Sequence, residues 1–300
     1  MLEGGLPSCM DESARKCGRV APVTTESFAE PMDHRKVTIV IPCFNERHTI
    51  LTVLSKVQAL PIDKMIIVVD NHSNDGTREL LAQHFDQPHA TEADPSALGR
   101  LYRPGQKLIR SGSMLLVLQP TNANKGTSLR TALMLANSQF FVCQDADLEY
   151  DPSDIVRLLS HADQTGASVV FGSRLLGSVS PRRDIYHVAR VGLTRLFRLL
   201  YASPLSDVAT CYKLMTTSTA RALDLQSTGF DLDFEIPAKL RRLGYTIREI
   251  PVGYSPRGAE AGKKLSWKHG ASAVWTLLRY RRWAPQAGRM GRKSERRDEQ

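Results

Sequence analysis

Asp145, Asp147 and Glu149 occupy alternate positions in FFVCQDADLEYDP, residues 140 to 152, where an apolar run gives way to acids. Residues two apart in an extended chain share a face, so continued extension would set three carboxylates side by side. Their mutual repulsion calls for positive charge among them. The same acids have a plainer use: Pro152 and Ser153 suit a helix start, and DADLEYDPSD would serve as the acidic turn that opens it. Other groups able to do chemistry punctuate the chain. Glu46 follows the first apolar run in IPCFNER, Asp70 closes MIIVVD, Lys125 lies in NKG before a helix start suited to anions, and Arg174 ends FGSR. Farther on, Arg257 and Lys263 stand six apart in PVGYSPRGAEAGKKLSWKHG, Lys264 adds charge, and glycines at 258 and 262 allow a loop to hinge.

The elements that must position these groups are legible from periodicity. VTIVIP, MIIVVD, MLLVLQP, FFVCQDAD and SVVFGSR are apolar, strand-like runs; TILTVLSKVQAL, DGTRELLAQHF, GTSLRTALMLANS and PSDIVRLLSHADQTG alternate with them at helical spacing. Buried strands alternating with helices predict an α/β fold with a doubly wound, mostly parallel sheet, whose ligand site lies beyond the carboxyl ends of the strands. Glu46, Asp70, Asp145 and Asp147 all fall at such ends. Residues 86–112 are polar and rich in Pro and Gly, and are expected as an inserted surface loop.

Composition narrows the partners. The 300 residues carry 40 Lys and Arg against 31 acids, a net charge of +9 that favours phosphates, nucleic acid or an anionic membrane surface. No nucleic-acid recognition motif accompanies that charge, so nucleic acid is not expected as a partner. Five cysteines without a CxxC pair predict neither a disulfide framework nor a zinc site, and fit a reducing cytoplasm. The first 35 residues read as a flexible tail without a signal-peptide core, 36–283 as the folded domain, and 284–300 as a basic tail. No run reaches the apolar length of a membrane span, so the chain is expected in the cytoplasm, with peripheral contact at the cytoplasmic face of a membrane. PRRDIYHVARVGLTRLFRLLY supports that contact, since it sets Arg182, Arg183, Arg190, Arg195 and Arg198 among apolar residues as an interfacial helix would.

In order and spacing, IPCFNER, VVDNHSNDGTREL, NKGTSLRTAL, QDADLEYDP, FGSR, TCYK and PVGYSPRGAEAGKKLSWKHG resemble the family 2 glycosyltransferases of the GT-A fold. Within that family they look most like the dolichyl-phosphate mannose synthase-like, polyprenyl-phosphate sugar transferases. The resemblance runs from about Val37 to about Tyr280. It implies that Asp145, Ala146 and Asp147 form the D-x-D that holds Mg²⁺ or Mn²⁺ against the diphosphate of a nucleotide sugar, with Glu149 as a further metal or sugar contact. It also implies a nucleoside pocket lined by Pro42, Phe44, Glu46 and Val68, with Asp70 reading base or ribose. Asn71 departs from the pattern, standing where the family usually has a second acid. Lys125 and Arg174 are implied as cations near the donor, and Arg257 and Lys263 as the loop that closes over the diphosphate.

The reaction so implied is inverting transfer of a hexose from GDP-mannose or a UDP-sugar to a polyprenyl monophosphate, with Asp147, Arg174 and Lys263 in catalytic roles. A lipid phosphate is already anionic and needs no strong base; a sugar hydroxyl would need one, for which Asp207, Asp233 and Glu235 are the candidates. The competing readings are a soluble transferase acting on a hydroxyl acceptor, and a nucleotide-sugar binder without turnover.

Overall fold

The computed structural model describes residues 35–177, 185–257 and 267–284, all within one compact unit, Met32–Gln300. Its first half alternates as the periodicity predicts: β1 (Val37–Cys43), α1 (Ile50–Gln58), β2 (Lys64–Asp70) and α2 (Thr77–Phe85). Every residue of β1 but Pro42 is buried, which is why it reads as a continuous apolar run and not an alternating one. In α1 the buried set is Ile50, Val53, Leu54 and Val57, one stripe of a helix laid on the sheet.

Residues 86–112 are not the surface loop expected. They carry the short β3 (Thr91–Glu92), a 3-10 turn over Pro95–Leu101 with Leu98 buried, and β4 (Lys107–Ser111), which pairs antiparallel with β5 (Met114–Leu118) and has Leu108 buried. With one face wet, KLIRS lacks the apolar run that marks a central strand. After β5 come α3 (Asn124–Leu135), β6 (Phe140–Cys143), α4 (Ser153–Thr165) and β7 (Val169–Ser173). The chain continues through α5 (Ile185–Tyr201), β8 (Lys213–Thr216), α6 (Thr217–Ala222), α7 (Leu232–Arg242), β9 (Arg248–Pro251) and α8 (Trp267–Tyr280).

One nine-stranded sheet results, in the order β3-β4-β5-β2-β1-β6-β8-β7-β9. Its centre, β5-β2-β1-β6, is parallel, and β7 pairs parallel with β9. The sheet as a whole is mixed, because β8 slots antiparallel between β6 and β7. That insertion matters for the site: it carries residues 210–213 up beside the end of β6 from the opposite direction.

Candidate active site

The carboxyl ends of β1, β2 and β6 converge on one rim, and the loops there are cross-braced. The Asn45 side-chain amide donates to Asn74 Oδ1 at 2.9 Å, the Asn74 N–H returns a bond to Asn45 Oδ1 at 3.0 Å, and the Asn71 N–H donates to the Cys43 carbonyl at 2.8 Å. Pro42 and Phe44 are half-buried at this rim, whereas Val68 lies wholly inside the core. Asp70 is fully buried too; its carboxylate accepts from the Ser73 N–H and from Arg78 Nη1 at 3.1 Å, and burial outweighs these contacts and raises its pKa. Asn71 Oδ1 accepts from the Ala123 N–H at 3.4 Å, so the amide that replaces the family's acid braces the start of α3. Gly126 in that start is required by space: a Cβ there would sit 2.6 Å from the Ser227 carbonyl oxygen.

The three acids that follow β6 do not line up. Extension stops at Cys143, and Leu148 adopts a left-handed φ of 60°, which turns the chain between Asp147 and Glu149. Each carboxylate is partnered, and Arg257 serves both Asp147 and Glu149. Lys125 Nζ lies 2.8 Å from Asp145; Arg257 Nη2 lies 3.6 Å from Asp147 and 2.9 Å from Glu46; Glu149 accepts from the Tyr254 hydroxyl at 2.7 Å and from the Arg257 N–H at 3.0 Å. The positive charge is therefore supplied by side chains from α3 and from the segment after β9. Beneath them Gln144 fixes the turn, accepting from the Tyr212 hydroxyl at 2.6 Å and donating to the Asp145 carbonyl at 3.0 Å.

Asp145 and Asp147 keep 23% and 25% of their side-chain surface exposed, and both are oxygen donors flanked by cations that attract phosphate. That donor set fits a hard divalent ion completed by phosphate oxygens and water. The Glu149 carboxylate, implied as a further metal or sugar contact, is occupied by the Tyr254 hydroxyl and the Arg257 N–H.

Arg174 differs from the expected donor-facing cation. Its guanidinium grips buried Asp207 through Nε at 2.6 Å and Nη2 at 2.8 Å, while its plane lies over the rings of Tyr254 and Tyr150. Burial would raise the Asp207 pKa, but Arg174 prevails and holds it below the usual range. Asp233 sits between Lys125 at 3.6 Å and Lys213 at 3.2 Å, and these cations likewise overcome burial and hold it low. Glu235 is sealed on α7, 2.5 Å from Lys239, and accepts from the N–H groups of Gln226 and Ser227. All three candidate bases are thus held by cations.

Sequence reasoning missed Tyr254 and Lys213. A lysine in the apolar run CYKLM is the one local signal for the latter, and its Nζ also donates to the Thr210 carbonyl. Lys263, Lys264, Arg182, Arg183 and glycines 258 and 262 lie outside the described residues, as do Cys9, Cys17 and the two tails apart from Arg35 and Ala284.

Helix α5 buries Thr194, Phe197 and Tyr201, with half-buried Arg190 on the same stripe. The buried Arg190 Nε has no hydrogen-bond partner. Toward solvent, Leu199 is 81% exposed and Val188 also stands out, beside exposed Arg195 and Arg198. The Tyr201 hydroxyl donates to the Leu277 carbonyl at 2.6 Å, joining α5 to α8, where Trp275 is 66% exposed and Leu278 and Val274 are exposed beside it. Among the described residues, no helix is long and apolar enough to cross a membrane.

The model of the family described as Glycosyl transferase family 2 matches residues 38–96 and 101–222. The low-salt glycan biosynthesis hexosyltransferase Agl6 of Haloferax volcanii is 24% identical over 242 residues, covering 78% of this chain. The chain spans about half of that relative's length, 52%. An uncharacterized glycosyltransferase of Mycobacterium tuberculosis is 26% identical over 230 residues, 74% of this chain and 86% of that one. In structure, the chain is similar to glucosyl-3-phosphoglycerate synthase from M. tuberculosis in complex with UDP, with a TM-score of 0.57 and 18% identity over 82% of this chain and 80% of that one. A crystal structure of the same synthase with Mn²⁺, UDP and phosphoglyceric acid gives a TM-score of 0.55 at 18% identity, over 84% of this chain and 80% of that one. The fold is GT-A, as the motifs implied.

Proposed function

Because the chain belongs to glycosyl transferase family 2, we propose that it transfers a hexose from a nucleoside-diphosphate sugar, GDP-mannose or a UDP-hexose, to a polyprenyl monophosphate with inversion at the anomeric carbon. One observation carries the choice of acceptor: Asp207, Asp233 and Glu235 are each paired with a cation, so no candidate base stands ready to deprotonate a hydroxyl. An acceptor that brings its own anionic oxygen needs none. Arg190, with its unpaired Nε, is the cation that would meet it on the α5 side. The exposed apolar and arginine residues of α5 and α8 fit an anionic lipid surface, which would present such an acceptor.

On the donor side, Asp145 and Asp147 would hold Mg²⁺ or Mn²⁺, which supplies charge to the departing diphosphate. Lys125 and Arg257 extend positive charge toward the same group, and Lys263 would add to it from the segment that follows. Glu46 steadies Arg257, and Phe44 and Pro42 flank the space for the nucleoside. Arg174 is a positioning residue: locked on Asp207, it supports the Tyr254 ring, which in turn fixes Glu149.

A second acceptor class is favoured by the synthase structure that holds phosphoglyceric acid, a phosphorylated molecule with a hydroxyl. Both are tested by incubating the purified chain and Mn²⁺ with labelled UDP- and GDP-sugars, with polyprenyl monophosphate, with phosphoglycerate, or alone. Label in the organic phase, absent with Asp147→Ala, is expected. Label that enters only a water-soluble product with phosphoglycerate would replace the lipid reading. No turnover with any donor would leave a binder.

A further inference from the structure

Below the donor site the fold gathers a metal-ligand set of another character. Cys143 ends β6 and Cys211 lies two residues before β8; the antiparallel pairing of these strands brings them together across 68 residues of sequence. The Cys211 thiol points at the Cys143 carbonyl oxygen, 3.6 Å away. Both sulfur atoms and an Asp145 carboxylate oxygen lie within 4.8 Å of one another, with the thiols buried and Asp145 opening to the rim. No CxxC spacing announces this set, because strand pairing and not sequence proximity makes it.

Tetrahedral ligation, at about 2.3 Å to sulfur and about 2.0 Å to oxygen, separates ligand atoms by roughly 3.5 to 3.8 Å, so closing on an ion needs shifts on the order of 1 Å. Thiolates select Zn²⁺, Cd²⁺ and Co²⁺ over the oxygen-seeking Mg²⁺ and Mn²⁺. Charge also balances. Two thiolates and one carboxylate offset a divalent ion together with the Lys125 ammonium, and the two thiol protons leave to solvent as the metal–sulfur bonds form. Lys125 has Asp233 at 3.6 Å to turn to when Asp145 is taken.

We propose that Cys143, Cys211 and Asp145 form a site for a thiophilic divalent cation of the zinc class, and that filling it withdraws Asp145 from the donor site and stops transfer. The second half rests on the reading of Asp145 as a donor-site ligand; the binding itself does not, and its test needs no turnover.

Co²⁺ titrated into the reduced full-length chain, without nucleotide, is expected to raise a thiolate-to-cobalt charge-transfer band that saturates near one equivalent and is displaced by Zn²⁺. The band should vanish in Cys143→Ser and in Cys211→Ser. It should persist in the combined Cys9→Ser, Cys17→Ser, Cys43→Ser variant and in Asp147→Asn. Absence of the band in the natural chain, its survival in both serine variants, or its loss from the combined variant overturns the site. Should either serine variant fail to fold, X-ray absorption of the zinc-loaded natural chain decides: two sulfur neighbours at about 2.3 Å support the site, and a shell of oxygen and nitrogen alone overturns it. In the transfer assay, the half-inhibiting Zn²⁺ concentration is expected to rise at least tenfold in Cys211→Ser. Zinc that binds without inhibiting overturns the withdrawal of Asp145.

Discussion

Two lysine–carboxylate pairs in this molecule look alike in composition and differ in everything else. Lys125 and Asp145 meet at 2.8 Å on the rim, with 12% and 23% of their side chains exposed and Asp233 as a second partner for the lysine. Lys239 and Glu235 meet at 2.5 Å with no exposure at all, and the Lys239 ammonium is covered by the rings of Tyr280 and Trp283 at 4.7 and 4.8 Å. The rim pair can exchange partners as ligands arrive; the sealed pair cannot, since parting would strand a charge away from water. Burial, rather than residue type, separates chemistry from architecture here, and it explains why Glu235 read from sequence as a possible base.

Asp147→Ala should lower sugar transfer on the order of 10³-fold while leaving the thermal midpoint nearly unchanged, measured by product formation and by calorimetry. A variant that instead unfolds would make the rim architectural as well. The sealed pair should behave in reverse: Glu235→Ala should reduce stability by about 3 kcal/mol, read from urea denaturation, because Lys239 is left buried and unpaired. Replacing both members, Glu235→Leu with Lys239→Met, should recover most of that loss. On the outer face of α5, Arg195→Glu with Arg198→Glu should cut affinity for anionic vesicles more than tenfold, at about 1 kcal/mol per charge, and leave neutral vesicles unaffected.

The smallest effect is a pH dependence. Asp207 and Asp233 have native pKa values held below those of the unfolded chain, so their stabilisation is complete above the ordinary carboxylate range and is lost as the pH falls through the lowered native values. Asp70 and Glu249, raised by burial, act in the opposite sense and take up protons earlier. Asp207→Asn should therefore destabilise the chain above about pH 5 and matter progressively less below about pH 3, seen in urea midpoints across that range.

What was legible in the sequence is what leaves a local trace. Continuous burial of β1 and β2 gives apolar runs, the stripes of α1 and α4 give helical spacing, and the acids after β6 mark a strand end. What escaped depends on segments far apart in the chain. The Arg174–Asp207 grip joins residues 33 apart, and the bond from Tyr254 to Glu149 joins residues 105 apart; neither has a periodicity to detect. β4 escaped because a short strand near the sheet edge with a wet face resembles a loop in composition, and the left-handed turn at Leu148 because leucine rarely adopts it.

The bond from Arg257 to Glu46 joins positions 211 residues apart. During synthesis at about 5 to 20 residues per second, some 10 to 40 seconds pass between the appearance of one and of the other. Through that interval the nascent chain carries first Glu46 and then Asp147 without the arginine that ties them, so the order of translation sets when this site first becomes whole.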